Sequence, residues 1–251
     1  MAMFIFDEVT SDADFDELIA LLWLSYSRPR IPLLPLLFPA DEADPDGRAK
    51  AIETSKRMLL LAHHADPTGH WFKVTCSDTG KIVGGCRWHV NESNPYQTGA
   101  KLVDQVDAAS NETYQAPTYE TGVAQEFASL ILGQMLNPRA RRYVRPHTHL
   151  HICFVHPDYR LKGVGTLLTT WGVEKADELQ IESFIEASDM GRGLYQRFGF
   201  VVVSTDHANA ERESPPEQWE ALTKKFLPYF WHCMWRPVGG NFIEGETKMP
   251  W

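Results

Sequence analysis

No apolar run in this chain approaches the roughly 18 residues that a membrane-spanning helix needs. The stretch at 33–38 is apolar, but it is short and broken by prolines. No basic region opens the chain, and Asp7 and Glu8 arrive too early for a signal peptide. Cysteine is scarce. Cys76, Cys86, Cys153 and Cys233 form no C-x-x-C pair, and each sits in a strand-like apolar setting. That fits reduced, buried thiols in a cytoplasmic protein and argues against a structural disulfide. Positive charge is short as well: 24 Lys and Arg stand against 33 Asp and Glu, a formal net charge of -9. This argues against a nucleic-acid partner or an anionic membrane surface, while leaving room for a local basic patch around an anionic ligand. Internal repeats and low-complexity tracts are lacking too.

What is present is a globular composition. The 251 residues are 43% hydrophobic, enough for a sizeable core. A short strand is expected at 4–9. Ser11-Asp12 then caps a helix with Phe15, Leu18, Ile19, Leu22 and Trp23 at helical spacing. The Pro-rich stretch 28–39 reads as an extended apolar loop, and 41–65 as a second helix. Strands at 71–77 and 81–90 are joined by the turn Asp78-Thr79-Gly80. Residues 91–146 read as an insertion holding an amphipathic helix at 122–136 and the basic run Arg139, Arg141, Arg142 and Arg145. A central strand at 149–155 leads into a helix at 164–178. Then come a strand at 182–187, a short helix at 191–198, a strand at 200–204, a helix at 216–226 and a last strand at 230–236. The order implies an α/β (α+β) fold with helices flanking a mixed sheet, one domain over 1–236, and a loose Gly-rich tail at 237–251.

The segment that carries most chemistry is His149-Leu-His151-Ile-Cys-Phe154-Val155-His-Pro-Asp-Tyr-Arg160-Leu161-Lys162-Gly163-Val164-Gly165-Thr166. An apolar strand runs into an Arg-x-x-Gly-x-Gly turn that opens a helix. The first turn of a helix leaves backbone N–H groups unpaired and carries partial positive charge. Glycines at 163 and 165 let an anion approach those amides, and Arg160 and Lys162 add charge. A Walker loop fits worse, since Gly165 is followed by Thr-Leu-Leu. A dinucleotide fingerprint fits worse too, since Leu168 stands where its third glycine belongs.

This segment closely resembles motif A of the GCN5-related N-acetyltransferase (GNAT) superfamily. A second match, Glu186-Ala-Ser188-Asp-Met-Gly191-Arg-Gly-Leu194-Tyr195-Gln-Arg-Phe-Gly199-Phe200, resembles the family's motif B. The resemblance covers roughly 148–203. It implies a GNAT-type fold and acetyl-CoA as co-substrate. Its pyrophosphate would sit on 160–166, and its pantetheine arm and acetyl oxygen on strand amides near Phe154 and Val155. Ser188, Gly191, Leu194 and Tyr195 would lie beside the coenzyme. His-Leu-His before motif A looks most like the arylalkylamine (serotonin) N-acetyltransferases. That branch implies His149 and His151 as a proton route and Tyr195 as an acid toward the thiolate.

The chemistry is consistent with those groups. Freeing the lone pair of an amine with pKa near 10 at pH 7 costs about 4 kcal/mol. A histidine is a suitable acceptor for that proton. In a regular strand, residues 149, 151 and 153 point to one face. Tyr195 is less simple: a phenol is a weaker acid than a thiol, so full transfer is uphill by about 2 kcal/mol. It fits better as a hydrogen-bond donor while charge builds on sulfur.

Other readings of the same residues exist. His147-x-His149-x-His151 could ligate a metal, but Val155 and His156 stand where a cupin-type glutamate belongs, so no metal is expected. His63-His64 reads as a solvated pair. The arginine run reads as a solvated face or a contact to coenzyme phosphates. The reading favoured is direct acetyl transfer to a primary amine, most simply a small molecule. The Pro-rich loop and the insertion would wall its pocket. A peptide amine, or a coenzyme-binding regulator without turnover, are the rivals.

Overall fold

The computed structural model describes residues 3–96 and 114–251. Within them, β1 (Phe4–Glu8) is followed by α1 (Asp14–Tyr26), α2 (Leu33–Leu37) and α3 (Gly47–Ala65). The hairpin of β2 (Gly69–Cys76) and β3 (Ile82–Asn91) comes next, then α4 (Val123–Leu136) and α5 (Arg139–Arg142). The second half runs β4 (His147–Val155), α6 (Val164–Leu179), β5 (Glu182–Ala187), α7 (Asp189–Gln196), β6 (Val201–His207), α8 (Glu217–Phe226) and β7 (Phe230–Arg236). The strands form one seven-stranded sheet in the order β1-β2-β3-β4-β5-β7-β6. Only β4 and β5 pair in parallel among the described residues; the other neighbours are antiparallel.

Two apolar clusters sandwich the first half of the sheet. One side holds Trp88, Leu150, Val164 and Leu168, where α6 lies across β3 and β4. The other holds Phe15, Leu18, Leu22, Trp71 and Phe154, where α1 and α3 cover it. The α6 contact is close because Gly172 lacks a side chain. A Cβ there would lie 2.2 Å from the Trp88 ring, which is pinned by its indole N–H donating to Leu168 O at 2.9 Å. Alanine in a helix interior normally gains about 1 kcal/mol over glycine. Here the clash should win. Gly172→Ala is expected to lower the urea-unfolding free energy by about 2 kcal/mol, the usual scale of overpacking. A stabilised variant would show that α6 can move off the sheet freely.

The first helix starts at Asp14 with Ala13 as its N-cap and no side-chain cap, not a Ser11-Asp12 cap, and four further expectations need correction. The loop at 28–39 contains the helical turn α2. Pro35 is tolerated in its first turn, where a missing N–H has no partner to lose. The helix expected from 41 begins at Gly47, because Asp41 and Asp44 accept from the amides of Ala43 and Asp46, both at 2.9 Å, and hold non-helical turns. The central strand starts at His147 rather than His149. The tail at 237–251 is not loose. It packs Phe242 on Trp235, and places Trp251 against Phe184, Tyr143 and the Arg142 guanidinium. Of the insertion expected at 91–146, residues 97–113 lie outside the described residues.

Candidate active site

The site follows from one topological fact. β4 and β5 pair only at His147–Glu182, Thr148–Ser183 and His149–Phe184. Beyond His149 the strands part, while β4 stays paired to β3 as far as Val155–Gly84 and β5 to β7 as far as Ala187–His232. A cavity of about 690 Å³ fills the resulting notch. At one end it reaches Arg160, Leu161, Gly163, Gly165 and Thr166, at the mouth of α6. At the other it opens into an apolar chamber walled by Ile31, Leu37, Met58, Leu132, Met135 and Trp231.

At the first end, Gly163 caps α6 with φ 93, in the left-handed region that favours glycine. A Cβ there would meet nothing within 4 Å, so the approach to the helix N-terminus is open. Arg160 does not simply face outward. Its guanidinium donates to Ser25 O at 2.9 Å and to Arg28 O, and so ties the end of α1 to the seat. Phe154, Val155, Ser188, Gly191, Leu194 and Tyr195 join the same wall. Two residues expected at the seat do not. Val164 is buried in the core, and Lys162 lies outside the wall with its ammonium 5.1 Å from the Tyr159 ring centroid.

The histidines separate. A β-bulge opposite Arg87 and Trp88 leaves His151 as the extra residue of β4. His149 and His151 keep adjacent rings, 5.7 Å apart at a near-perpendicular 78°. Cys153, expected on their face, packs with the α6 cluster because the bulge breaks the alternation, and it reaches the same cavity wall as His151. His151 lines the cavity and His149 does not. His149 Nε2 lies 3.0 Å from Glu186 Oε2. Glu186 also accepts from Arg139 at 2.9 and 3.0 Å and from the Tyr143 hydroxyl at 2.7 Å. Burial opposes the Glu186 charge, but Arg139 and His149 hold the carboxyl well below the usual range. Burial pushes His149 down to about 3, against the pull of Glu186.

His147 is committed elsewhere. Its Nδ1 donates to Arg145 O at 2.7 Å, and its Nε2 accepts from Asn91 at 3.2 Å. Burial pushes it down to about 4. Two buried neutral histidines make a stability prediction. Their unfolded forms take up protons below pH about 6.5 while the folded forms do not, so stability rises with pH across that interval and falls on acidification. Each should cost about 1.4 kcal/mol per pH unit between roughly 6.5 and its folded value. Urea unfolding between pH 7 and 5 reads the slope, and His147→Gln should flatten it. An unchanged slope would mean that His147 is not held neutral.

Tyr195 is buried beside Cys153. Burial pushes its hydroxyl well up, with Cys153 adding to the shift, and burial pushes the Cys153 thiol to about 12. Both groups hold their protons at neutral pH. The arginine run divides: Arg139 is buried and reaches the cavity wall, Arg142 is half-buried, and Arg145 stays exposed, as a solvated face would have it. Arg139 pairs with Glu186, Arg142 with Asp206 at 3.1 Å, and Arg145 with Glu182 at 2.8 and 2.9 Å.

The Acetyltransferase (GNAT) family profile matches residues 31–200. The chain belongs to the GNAT acetyltransferase family. A curated relative named mycothiol acetyltransferase, from Propionibacterium freudenreichii, is 31% identical over 113 residues, 39% of this chain and 36% of that protein. An uncharacterized N-acetyltransferase of Schizosaccharomyces pombe is 27% identical over 141 residues, 51% of this chain and 53% of the other. The matches thus span about a third and a half of those relatives. Among solved structures, a Corynebacterium glutamicum protein described as histone acetyltransferase HPA2 and related acetyltransferase aligns with TM-score 0.55 at 17% identity, over 97% of this chain and 99% of its own. An agmatine N-acetyltransferase aligns with TM-score 0.55 at 16% identity, over 92% and 98%. Likeness at that identity shows the fold, and the GNAT fold expected from motifs A and B is the fold observed.

Beyond the GNAT motifs, the sequence reading missed the Arg139–Glu186 pair. A signal existed for the pair. Glu182 and Glu186 share one face of an apolar strand, and buried carboxylates at such spacing need counter-ions. The arginine run was the available source.

Proposed function

We propose that the chain is an acetyl-CoA-dependent N-acetyltransferase that acts directly on a small primary amine with an apolar body, the substrate class of the arylalkylamine branch. The observation that carries this is the continuity of the cavity. It joins an open helix N-terminus to an apolar chamber, and His151, Tyr195 and the β4 edge lie between them. The residues present suit the coenzyme. The unpaired amides of the first turn of α6, beside Gly163 and Gly165, would hold the pyrophosphate. The edge of β4 near Phe154 and Val155, freed by its departure from β5, would hold the amides of the pantetheine arm. Bound there, acetyl-CoA supplies an acetyl group activated as a thioester.

The chain's own groups handle the protons. His151, on the chamber wall, takes the proton that an incoming ammonium must lose. His149 is neutral and buried; it packs against His151 and is itself fixed by Glu186. Tyr195 donates a hydrogen bond as negative charge builds on sulfur. The apolar walls exclude water from the thioester. A thiol that stays protonated is a poor nucleophile, so transfer is direct, with no acyl-cysteine. Four free cysteines, three of them buried, suit a reducing compartment such as the cytoplasm.

The test is a panel of amines with a readout of thiol release. Arylalkyl and alkyl amines should be turned over, and strongly polar or polyanionic amines should not. Tight acetyl-CoA binding with no turnover of any amine would favour the regulator instead.

A further inference from the structure

Two tyrosines on the cavity wall lie outside both motifs. Tyr26 ends α1, which packs on β3 and β4, and Tyr229 stands just before β7, which pairs with β5. Both line the cavity, one from each side of the notch. Their backbones are pinned: Tyr26 O accepts from the Ile31 amide at 2.7 Å, and Tyr229 O from the Ala208 amide at 2.9 Å. Tyr26 also follows Ser25, whose hydroxyl donates to Val155 O at 3.0 Å. That bond fastens the end of α1 to the part of β4 that would hold the coenzyme arm. The Tyr229 ring packs beside Trp231, with centroids 5.5 Å apart.

Neither hydroxyl has a hydrogen-bond partner among the described residues, and neither is sealed inside protein, as the Trp231 indole N–H is. Burial pushes both phenols well up, so both keep their protons at neutral pH. Cys153 adds to the shift at Tyr26, and Tyr26 adds to those at Tyr229 and Tyr195. Tyr26 is thus within electrostatic reach of Tyr195 and Cys153 on one side and of Tyr229 on the other. A protonated phenol keeps an oxygen that can accept, and an ammonium can only donate. Glu186, the carboxylate on the described wall, is already taken by Arg139, His149 and Tyr143. The Tyr26 and Tyr229 oxygens remain open acceptors.

We propose that Tyr26 and Tyr229 bind the acceptor nitrogen, each accepting one of its N–H bonds from its own side of the notch. Two contacts from opposite sides hold the nitrogen where the chamber meets the thioester, and such alignment is a large part of what a site contributes to a two-substrate reaction. The third N–H of the ammonium is left for the base. The two phenols position the nitrogen and take no proton from it. Selectivity follows: the chamber admits an apolar body, and the hydroxyls require a nitrogen at its near end. The proposal rests on the chamber as the acceptor site.

The test is isothermal titration at neutral pH into the protein loaded with CoA, which requires no turnover. The probes are phenethylamine and ethylbenzene, the same apolar body without the nitrogen. Tyr26→Phe and Tyr229→Phe should each weaken phenethylamine binding by about tenfold, the scale of one hydrogen bond from a charged donor, and leave ethylbenzene binding within about twofold. CoA affinity should stay at the parental value. Each variant deletes an oxygen that bonds no described residue, so the fold is kept, and an unchanged urea midpoint verifies it. Unchanged phenethylamine affinity in either variant overturns the proposal, as does an equal loss for ethylbenzene. Unchanged affinity in a protein that releases thiol with phenethylamine overturns the site and leaves acetyl transfer standing. A selective loss in a protein that acetylates no amine sustains the site and removes the enzymatic reading.

Discussion

Gly163→Asp should weaken acetyl-CoA binding by at least about 100-fold by isothermal titration. The helix can survive the change. Aspartate is a favourable N-cap, and a Cβ at 163 meets nothing within 4 Å. The left-handed φ of 93 adds strain of about 1–2 kcal/mol, which the fold can absorb. What the helix gains, the ligand loses. The new carboxylate takes the amides of the first turn and sets a negative charge at the mouth of the cavity. A hydrogen bond to a charged group contributes about 1.5–3 kcal/mol, so losing two removes 3 kcal/mol or more, about 100-fold in affinity. Gly163→Ala carries the strain without the charge and should lose far less. Near-parental affinity in Gly163→Asp would move the pyrophosphate to another part of the molecule.

His151→Gln should lower kcat by about 100-fold or more and abolish the acidic limb of the pH–rate profile, as expected for loss of a general base. His149→Gln should cost about tenfold or less in kcat, the scale of a group that only orients the base. The difference follows from position: His151 is on the cavity wall, and His149 is behind it, bonded to Glu186. Glutamine at 149 can still donate to Glu186, which keeps Arg139 and Tyr143, so the fold should hold. Equal losses in the two variants would restore a two-histidine relay. A mild His151→Gln would place the base elsewhere, with Glu186 next on the wall.

The strand–turn–helix around Gly163 was legible because it is local. Its apolar run, its glycines and the following helix period lie within one stretch of chain. The short helix carrying Tyr195 was legible for the same reason. The bulge at His151 was not, since the extra residue is defined only by what β3 places opposite it. Nothing in His149-Leu-His151 tells the two rings apart; the partner Glu186 does, from 37 residues away. The role of Arg139 was hidden likewise, because ion pairs across a sheet depend on which strands become neighbours. Trp251 gave no local hint that it would return to Phe184. Where the reading failed locally the causes differ: Pro35 sits in a first helical turn, which tolerates proline, while at Asp41 and Asp44 short-range hydrogen bonds outcompeted a helix pattern.

The ladder between β4 and β5 is three residue pairs long. Mechanically, the sheet is two plates joined at one short seam, β1 to β4 on one side and β5 to β7 on the other. Thr148 stitches that seam further, its hydroxyl donating to Ser183 at 2.8 Å. A molecule lodged in the notch would touch both plates and act as a splint. Its binding free energy would then also resist their separation, so protection from hydrogen exchange should rise along both strand edges at once. Amides far from the ligand on β7 would report its arrival as faithfully as those that touch it.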